Sequence, residues 1–346
     1  MREARLSYSW LWLWEECSPY IFLSLNELCL AILMIMVESL FSDGINGLAF
    51  VVYEHAISTV LLSLLAFFLE RRRPPLTFKI VSYAFLLGLL QVTLCQMLLT
   101  VALQFISSTY ESVALNLVPS IVFLLALLFG QEKLSFPTIN GQAKVWGLAF
   151  SAAGAVTIVL WKGPLIFKEA FSAGFHGTSN GIIGGIMIVV GILATSFWNI
   201  AVAHVVKIYP SELSLTAMMS FFGTVQTAVI TAIAIASSSW KLKWEGGLTM
   251  LTLLLGGVVV TGLSYYVMAW SIKKRGPVFT TAFNPLLVLF SFLLQTFVLG
   301  SFVHLGSVVG AVFVVIGLYL LLWGKAKDFE KTRLNADGAI NSPLIQ

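Results

Sequence analysis

Charged residues are scarce in this sequence. Only 10% of the 346 residues are charged, whereas 58% are hydrophobic, and the mean hydropathy is +0.93. A water-soluble protein of this length needs many more polar side chains to cover its surface. The composition therefore excludes a soluble enzyme or a soluble binding module and predicts a polytopic membrane protein.

Cysteine and histidine are also few. Two of the three cysteines, Cys29 and Cys95, lie within apolar runs, and their spacing fits neither a disulfide framework nor a metal site. The four histidines are scattered and form no HExxH motif. We therefore expect no cofactor, no metal centre and no membrane enzyme.

Ten apolar runs alternate with short polar loops. Each run is long enough, or nearly long enough, to cross a hydrocarbon core that needs about 20 helical residues. The predicted fold class is an all-α polytopic membrane protein with ten transmembrane helices, numbered here as spans 1 to 10. Their expected bounds are Tyr20–Phe41, Ala49–Leu69, Ile80–Thr100, Ser108–Lys133, Val145–Trp161, Gly181–Val202, Leu213–Ala236, Leu248–Trp270, Val278–Val298 and Leu305–Trp323.

The distribution of basic residues indicates the topology. When the loops are assigned alternately to the two sides, four of the 20 basic residues lie outside and the other 16 lie inside with both termini. The positive-inside rule predicts such a bias. Residues 1–18 and 325–346 are therefore predicted to be cytoplasmic. Nucleic-acid binding is not supported, because the basic residues are spread over separate short loops.

The two halves of the chain resemble each other weakly. Two glycines recur at an offset of 163 residues and a tryptophan at 162: Gly147, Gly154 and Trp161 in span 5 match Gly310, Gly317 and Trp323 in span 10. Since each half has five spans, a duplication would place the second copy upside down relative to the first. The predicted repeats are residues 19–161 and 181–324, joined by a non-cytoplasmic loop at 162–180. Alternatively, the glycines only allow close helix packing.

Three carboxylates lie within the predicted spans 1 and 4. Glu27 and Glu38 are eleven residues apart, which is about three helical turns, so they share one face of span 1. Glu111 lies near the start of span 4. Intramembrane carboxylates usually face protein or water and mark substrate or proton pathways. Glu27 and Glu111 are therefore candidates for a proton relay, although Glu38 and Glu111 could instead lie at the interface.

A carrier needs polar groups at depth to replace the water that a solute loses. Amides and hydroxyls can hold both ends of an amino acid, a carboxylate can receive its ammonium, and aromatic rings can cover the rest. The candidate cavity residues are Glu27, Gln91, Gln96, Asn116, Trp198, Asn199, Gln226, Tyr265, Tyr266, Asn284 and Gln295. Hydrogen bonding between helices explains buried amides equally well.

Prolines mark similar places in spans 4 and 9. Asn116 and Pro119 in span 4 parallel Asn284 and Pro285 in span 9. The two prolines predict a pair of kinked or broken helices around one site. Each could equally stand in the first turn of a helix, where no N–H donor is needed.

Five long segments resemble one plant family. They are VVYEHAISTVLLSLLAFFLERRRPPLT, QEKLSFPTINGQAKVWGLAFSAAGAVTIVLWKGP, YPSELSLTAMMSFFGTVQ, GVVVTGLSYYVMAWSIKKRGPVFTTAFNPL and HLGSVVGAVFVVIGLYLLLWGKAKD. The chain from Pro19 to Asp328 resembles the nodulin-like, walls-are-thin-related EamA-domain transporters (the UMAMIT group) of the drug/metabolite transporter superfamily. The resemblance implies two EamA repeats, ten helices and movement of small organic solutes, typically amino acids and in some members auxin.

Individual positions both follow and depart from the family pattern. Residues that match it are Glu27, Gln96, Asn116, Pro119, Trp198 and Gln226. Glu54 stands where many members carry a basic residue, Cys95 replaces a frequent acid, and Glu111 occupies a position where a small residue is usual. Ser301 follows Gly300 where a Gly-Glu pair is common. These departures change the sign and the place of intramembrane charge.

The function expected is alternating-access transport, facilitative or proton-linked, with amino acids as substrates. Auxin or another metabolite is the alternative cargo, and a channel or a non-transporting regulator is a further alternative. A sugar-phosphate exchanger is disfavoured because no predicted span has Lys or Arg in its middle. The expected partners are a small-molecule substrate and the lipid bilayer, and the plasma membrane is favoured over the vacuolar membrane.

Overall fold

The computed structural model describes residues 2–42, 44–71, 73–106, 108–132, 137–161, 165–167, 178–234, 247–297 and 303–341. Nearly all of these residues are helical. Two short strands in the described part, β1 (Leu165–Phe167) and β2 (Val303–His304), pair antiparallel. Most of the predicted loop at 162–180 and the positions Gly300 and Ser301 lie outside the described residues.

Ten helical spans follow one another in the described residues. Their bounds are Arg2–Ser42, Gly47–Leu69, Phe78–Ala102, Ser108–Leu115 with Val118–Leu128, Ile139–Leu160, Thr178–Ile208, Glu212–Ala234, Gly247–Arg275, Pro277–Thr281 with Asn284–Phe297, and Leu305–Asn341. Eight spans, all except 4 and 5, are long and apolar enough to cross a membrane. The second part of span 4 is a shorter apolar helix, and span 5 has 22 residues. The predicted all-α polytopic membrane fold is confirmed.

Polar side chains begin several of these helices. The Oδ1 atom of Asn46 accepts hydrogen bonds from the N–H groups of Leu48 and Ala49 at the start of span 2. Thr77 and Thr138 act in the same way for spans 3 and 5. Such caps satisfy N–H groups that have no partner within the helix.

The packing of the spans has a two-fold pattern. Span 5 packs on span 10, and span 2 packs on span 7. The other main contacts between spans occur in three matched pairs. The contact of spans 1 and 9 matches that of spans 4 and 6, the contact of 3 and 7 matches that of 2 and 8, and the contact of 3 and 6 matches that of 1 and 8. Adding five to each span number, with the count restarting at 1 after 10, converts one contact of a pair into the other. This is the pattern expected of two inverted five-helix repeats.

Glycines set the crossing of spans 5 and 10. A Cβ atom on Gly147 would lie 2.8 Å from the carbonyl oxygen of Gly317, and one on Gly154 would lie 2.6 Å from that of Gly310. The repeat predicted from the sequence exchanges Gly147 with Gly310 and Gly154 with Gly317, and so converts one contact into the other. The two spans therefore cross antiparallel about a local two-fold axis, in backbone contact that small residues permit.

Helical irregularities recur at equivalent positions of the two halves. Span 3 is π-helical over Leu89–Gln96, and span 8 is π-helical over Leu255–Leu263. Span 4 is interrupted at residues 116–117, and span 9 at residues 282–283. Pro119 and Pro285 each follow the interruption, in the first turn of the next helix. Both spans are therefore broken helices, and each proline also stands in a first turn, where no N–H donor is needed.

The two ends of the bundle differ in their contacts: ion pairs lie at one end and the two strands at the other. Every ion pair identified in the described residues lies at helix ends that the sequence assigns to the cytoplasmic side: Glu16 with Arg275, Glu212 with Lys273, and Glu132 with both Lys144 and Lys325. Strands β1 and β2 join two loops assigned to the opposite side. The contacts are thus consistent with the predicted alternation of the loops.

Candidate functional site

Tyr265 on span 8 lies at the centre of a polar cluster between the two halves. Its side chain is buried, and its hydroxyl donates a hydrogen bond to Oε1 of Gln96 on span 3 at 3.2 Å. The ring of His55 on span 2 stacks on Tyr265, with centroids 6.1 Å apart. The ring of Trp198 on span 6 lies 6.2 Å away. With Glu54, these residues are called the tyrosine cluster below.

Glu54 is the most unusual member of the tyrosine cluster. Its side chain is 0% exposed. The carboxylate lies within reach of the Gln96 side chain and has no other hydrogen-bond partner. Space for the carboxylate comes from Gly256 in the π-helical part of span 8, where an added Cβ would lie 2.6 Å from Oε1 of Glu54. An unpaired carboxylate in apolar surroundings is costly in its charged form. A bound cation or a donated proton would therefore stabilise this group.

His55 beside it is equally isolated. The side chain is 0% exposed, and neither ring nitrogen has a hydrogen-bond partner. Sequence reasoning did not include Glu54 and His55 among the candidate cavity residues. In the sequence Glu54 stands out only as a departure from the family pattern, and His55 only as one of four scattered histidines. The signal that could have found Glu54 was the presence of an ionisable group inside an apolar span.

Glu27 and Glu111 are also buried, each 4% exposed. Glu27 accepts a hydrogen bond of 3.3 Å from the amide of its neighbour Asn26. Glu111 has one carboxylate oxygen without a partner and lies within electrostatic reach of Glu38 and Cys95. Both carboxylates are thus enclosed by protein and are not exposed on the outer surface of the bundle.

Spans 4 and 9 contact each other through two serine hydroxyls, one of them on the residue that follows Glu111. Oγ of Ser112 lies 3.2 Å from Oγ of Ser291. Asn116, at the interruption of span 4, donates a hydrogen bond to the carbonyl oxygen of Ser151, and its own Oδ1 atom has no partner. Asn284 is half-buried and begins the second part of span 9.

Two buried amides keep an unpaired oxygen. Oε1 of Gln91, in the π-helical part of span 3, has no hydrogen-bond partner. Asn199 donates to the carbonyl oxygen of Thr195 in its own helix, and its Oδ1 atom is unpaired. Both amides therefore retain an acceptor that a ligand or water could use. The side chain of Gln295 lies outside the described residues.

Two other candidate cavity residues, Gln226 and Tyr266, contact parts of the protein outside the tyrosine cluster. Gln226 accepts from the Thr93 hydroxyl at 2.8 Å and donates to the carbonyl oxygen of Phe85, so both ends of its amide connect spans 7 and 3. Tyr266 packs in a separate apolar cluster that contains Leu62 and Leu213. The structure thus joins Gln96, Trp198 and Tyr265, and leaves Gln226 and Tyr266 apart from them.

A helical bundle built from two inverted halves, with buried carboxylates and amides inside it, is typical of membrane transporters. In this structure the tyrosine cluster is packed and largely shielded from solvent.

The comparisons with known proteins identify the family. Residues 17–160 match the EamA-like transporter family. Three WAT1-related proteins of Arabidopsis thaliana are 34%, 35% and 33% identical to the chain. These alignments cover 91%, 88% and 96% of this chain and 92%, 86% and 90% of the respective relatives. The chain belongs to the WAT1-related EamA-like transporters, as the sequence resemblance predicted.

One solved crystal structure has the same fold. It superposes with a TM-score of 0.60 at 14% identity, and covers 87% of this chain and 93% of its own. Family membership and fold together make the protein an integral multi-pass membrane transporter of small solutes and not an enzyme.

Proposed function

We propose that the protein carries amino acids across the membrane by alternating access, in a facilitative or proton-linked cycle. The observation that supports this substrate class is the sign of the buried charge. Glu27, Glu54 and Glu111 are all buried within the bundle. Lys144, the one fully buried lysine of the described residues, is already paired with Glu132. An acidic interior suits a substrate with an ammonium group and disfavours an anion.

The groups around these carboxylates complete such a site. Gln91, Gln96 and Asn199 can hydrogen-bond the substrate carboxylate, while Tyr265 and Trp198 can cover an apolar side chain or an ammonium. Glu27 is proposed to receive the ammonium or a proton, and Glu111 to take part in the same proton relay. Asn116 and Asn284 are proposed to line the cavity at the interruptions of spans 4 and 9.

Efflux of a labelled amino-acid panel from oocytes, with labelled auxin alongside, tests the proposal. Several amino acids should be exported in a saturable way, and auxin should not compete with them. Export of auxin alone would identify auxin and not amino acids as the cargo. Single-channel currents would indicate a pore and contradict a carrier.

The variant Glu27→Gln tests the role of the buried carboxylate. We expect transport, or its dependence on pH, to be lost while insertion into the membrane is unchanged. Glu330→Gln, which removes a carboxylate near the C-terminus, is the matched control. Unchanged transport by Glu27→Gln at every pH would remove Glu27 from the mechanism.

The topology and division of the chain are proposed on related grounds. We propose that both termini are cytoplasmic, that the plasma membrane is the site of action, and that residues 19–161 and 181–324 form the two repeats. The excess of basic residues on one side supports the orientation, and the matched pairs of spans support the division. A C-terminal epitope that antibodies reach only after permeabilisation of plant cells would agree with this orientation; labelling of intact cells would contradict it.

A further inference from the structure

A groove lies apart from the tyrosine cluster, at the end of the bundle that the sequence assigns to the cytoplasmic side. Its volume is about 360 Å³, and it is bounded by the end of span 2, the start of span 3 and the start of span 7. Nothing in the proposed transport cycle uses this groove.

One corner of the groove is polar. Tyr209 and Ser214 line it with their side chains almost fully buried. Their hydroxyls lie within reach of each other, and neither has any other hydrogen-bond partner. Arg73, an exposed residue of the loop between spans 2 and 3, lines the same groove and lies within electrostatic reach of Tyr209. Two buried hydroxyl groups without a further partner beside a guanidinium form a set of hydrogen-bond donors that matches a phosphate.

Arg73 and Glu70 both lie within electrostatic reach of Tyr209 at this corner. Glu70 is the nearby acid, but its two carboxylate oxygens accept hydrogen bonds from the N–H groups of Leu213 and Ser214 at 3.1 and 2.8 Å. That carboxylate thus caps span 7. Burial raises the pKa of the Tyr209 phenol, although the hydroxyl of Ser214 and the charge of Arg73 oppose this effect. The phenol therefore carries its proton at neutral pH and can donate it.

The opposite wall is apolar and continues onto the outer surface of the bundle. Phe67, Leu76 and Phe221 line the groove and are 65%, 52% and 51% exposed. Met218 and Phe222 form its floor. A free anion would gain nothing from this wall, whereas an amphiphile would bury its tail there.

We propose that the groove binds an anionic phospholipid of the leaflet next to this end of the bundle. The headgroup phosphate would lie against Arg73 and the hydroxyls of Tyr209 and Ser214. One acyl chain would extend along Phe67 and Phe221. Basic residues at the membrane surface that face the acidic leaflet commonly recognise such lipids.

Native mass spectrometry of the purified full chain tests this site. Phosphatidylglycerol and phosphatidylcholine with identical acyl chains are added in equal amounts, and the bound fractions are compared. We expect a preference of about tenfold for phosphatidylglycerol. Both lipids carry the phosphate, but the quaternary ammonium of phosphatidylcholine cancels its charge, so only phosphatidylglycerol keeps a net negative charge beside Arg73. Equal binding of the two lipids would overturn the proposal.

The variants Arg73→Gln and Arg71→Gln form a matched pair. Both remove one positive charge from the same loop, and both residues are exposed, but only Arg73 lines the groove. We expect the preference to fall about tenfold in Arg73→Gln and to persist in Arg71→Gln. Equal losses would indicate general attraction to a basic loop and would contradict a defined site.

Two further measurements separate a lipid from a free anion and a contact from a folding defect. Tyr209→Phe keeps the ring and removes the hydroxyl, and should lower the preference several-fold without changing the melting temperature. Soluble glycerol phosphate should fail to displace the lipid. Displacement at a concentration equal to that of the lipid would assign the groove to a free anion and overturn the proposal.

Discussion

At the scale of single residues, the environment of Glu54 distinguishes this chain most clearly. Apart from the nearby Gln96 side chain, the buried carboxylate has no hydrogen-bond partner, and Gly256 on the facing helix leaves it just enough room. An unpaired buried acid lowers the stability of the folded protein until a ligand or a proton binds to it. Selection for stability alone would therefore not retain such a residue. Glu54 is therefore expected to matter for transport more than for folding.

Glu54→Gln should separate these two effects. Removing the charge should raise the free energy of unfolding by about 1 to 3 kcal/mol, which a higher melting temperature in detergent would report. Transport should fall by about tenfold or more, because a substrate ammonium or a proton loses its partner. Higher stability with unchanged transport would make Glu54 a structural residue.

At the scale of the elements, the crossing of spans 5 and 10 depends on backbone contact. An added Cβ at Gly317 would lie 2.4 Å from the backbone nitrogen of Ser151 and 2.6 Å from the carbonyl oxygen of Gly147. Neither atom belongs to a side chain that could rotate away. The two helices would have to separate to make room.

Gly317→Ala should therefore lower stability by about 1 to 3 kcal/mol, as overpacking of a tight interface does. Gly185→Ala is the control, since a Cβ at Gly185 has no heavy atom within 4 Å and alanine favours a helix. The two melting temperatures measure the difference. If Gly317→Ala had the same melting temperature as the wild type, spans 5 and 10 could not be in backbone contact.

At the scale of the whole molecule, the matched pairs of spans suggest that the two halves rock against each other. Spans 4 and 9 belong to different halves and meet at Ser112 and Ser291, whose Oγ atoms are 3.2 Å apart. A covalent bond at this point would hold the halves together. Transport that needs relative motion of the halves should then stop.

The double variant Ser112→Cys with Ser291→Cys, made after replacing Cys17, Cys29 and Cys95, tests this motion. Oxidation should abolish transport and reduction should restore it, as measured by efflux of a labelled amino acid. Each single cysteine variant should transport under both conditions. Undiminished transport by the cross-linked protein would contradict a mechanism based on rocking halves.

Predictions from the sequence succeeded where the signal is local or repeated. Hydropathy predicted the spans. The recurrence of Gly147 and Gly154 as Gly310 and Gly317 indicated an inverted repeat, and in the structure these four glycines lie at the crossing of spans 5 and 10. Predictions for the amides were less specific. Gln96 and Gln226 look alike in sequence, yet one contacts Tyr265 and the other joins spans 3 and 7.

The sequence by itself determined that the chain forms apolar helices in two related halves, because a backbone within lipid must satisfy its hydrogen bonds inside each helix. Only the tertiary structure decided that Glu54, His55, Gln96, Trp198 and Tyr265 meet. These residues come from spans 2, 3, 6 and 8, and helical periodicity shows which residues share a face but not which faces turn towards each other.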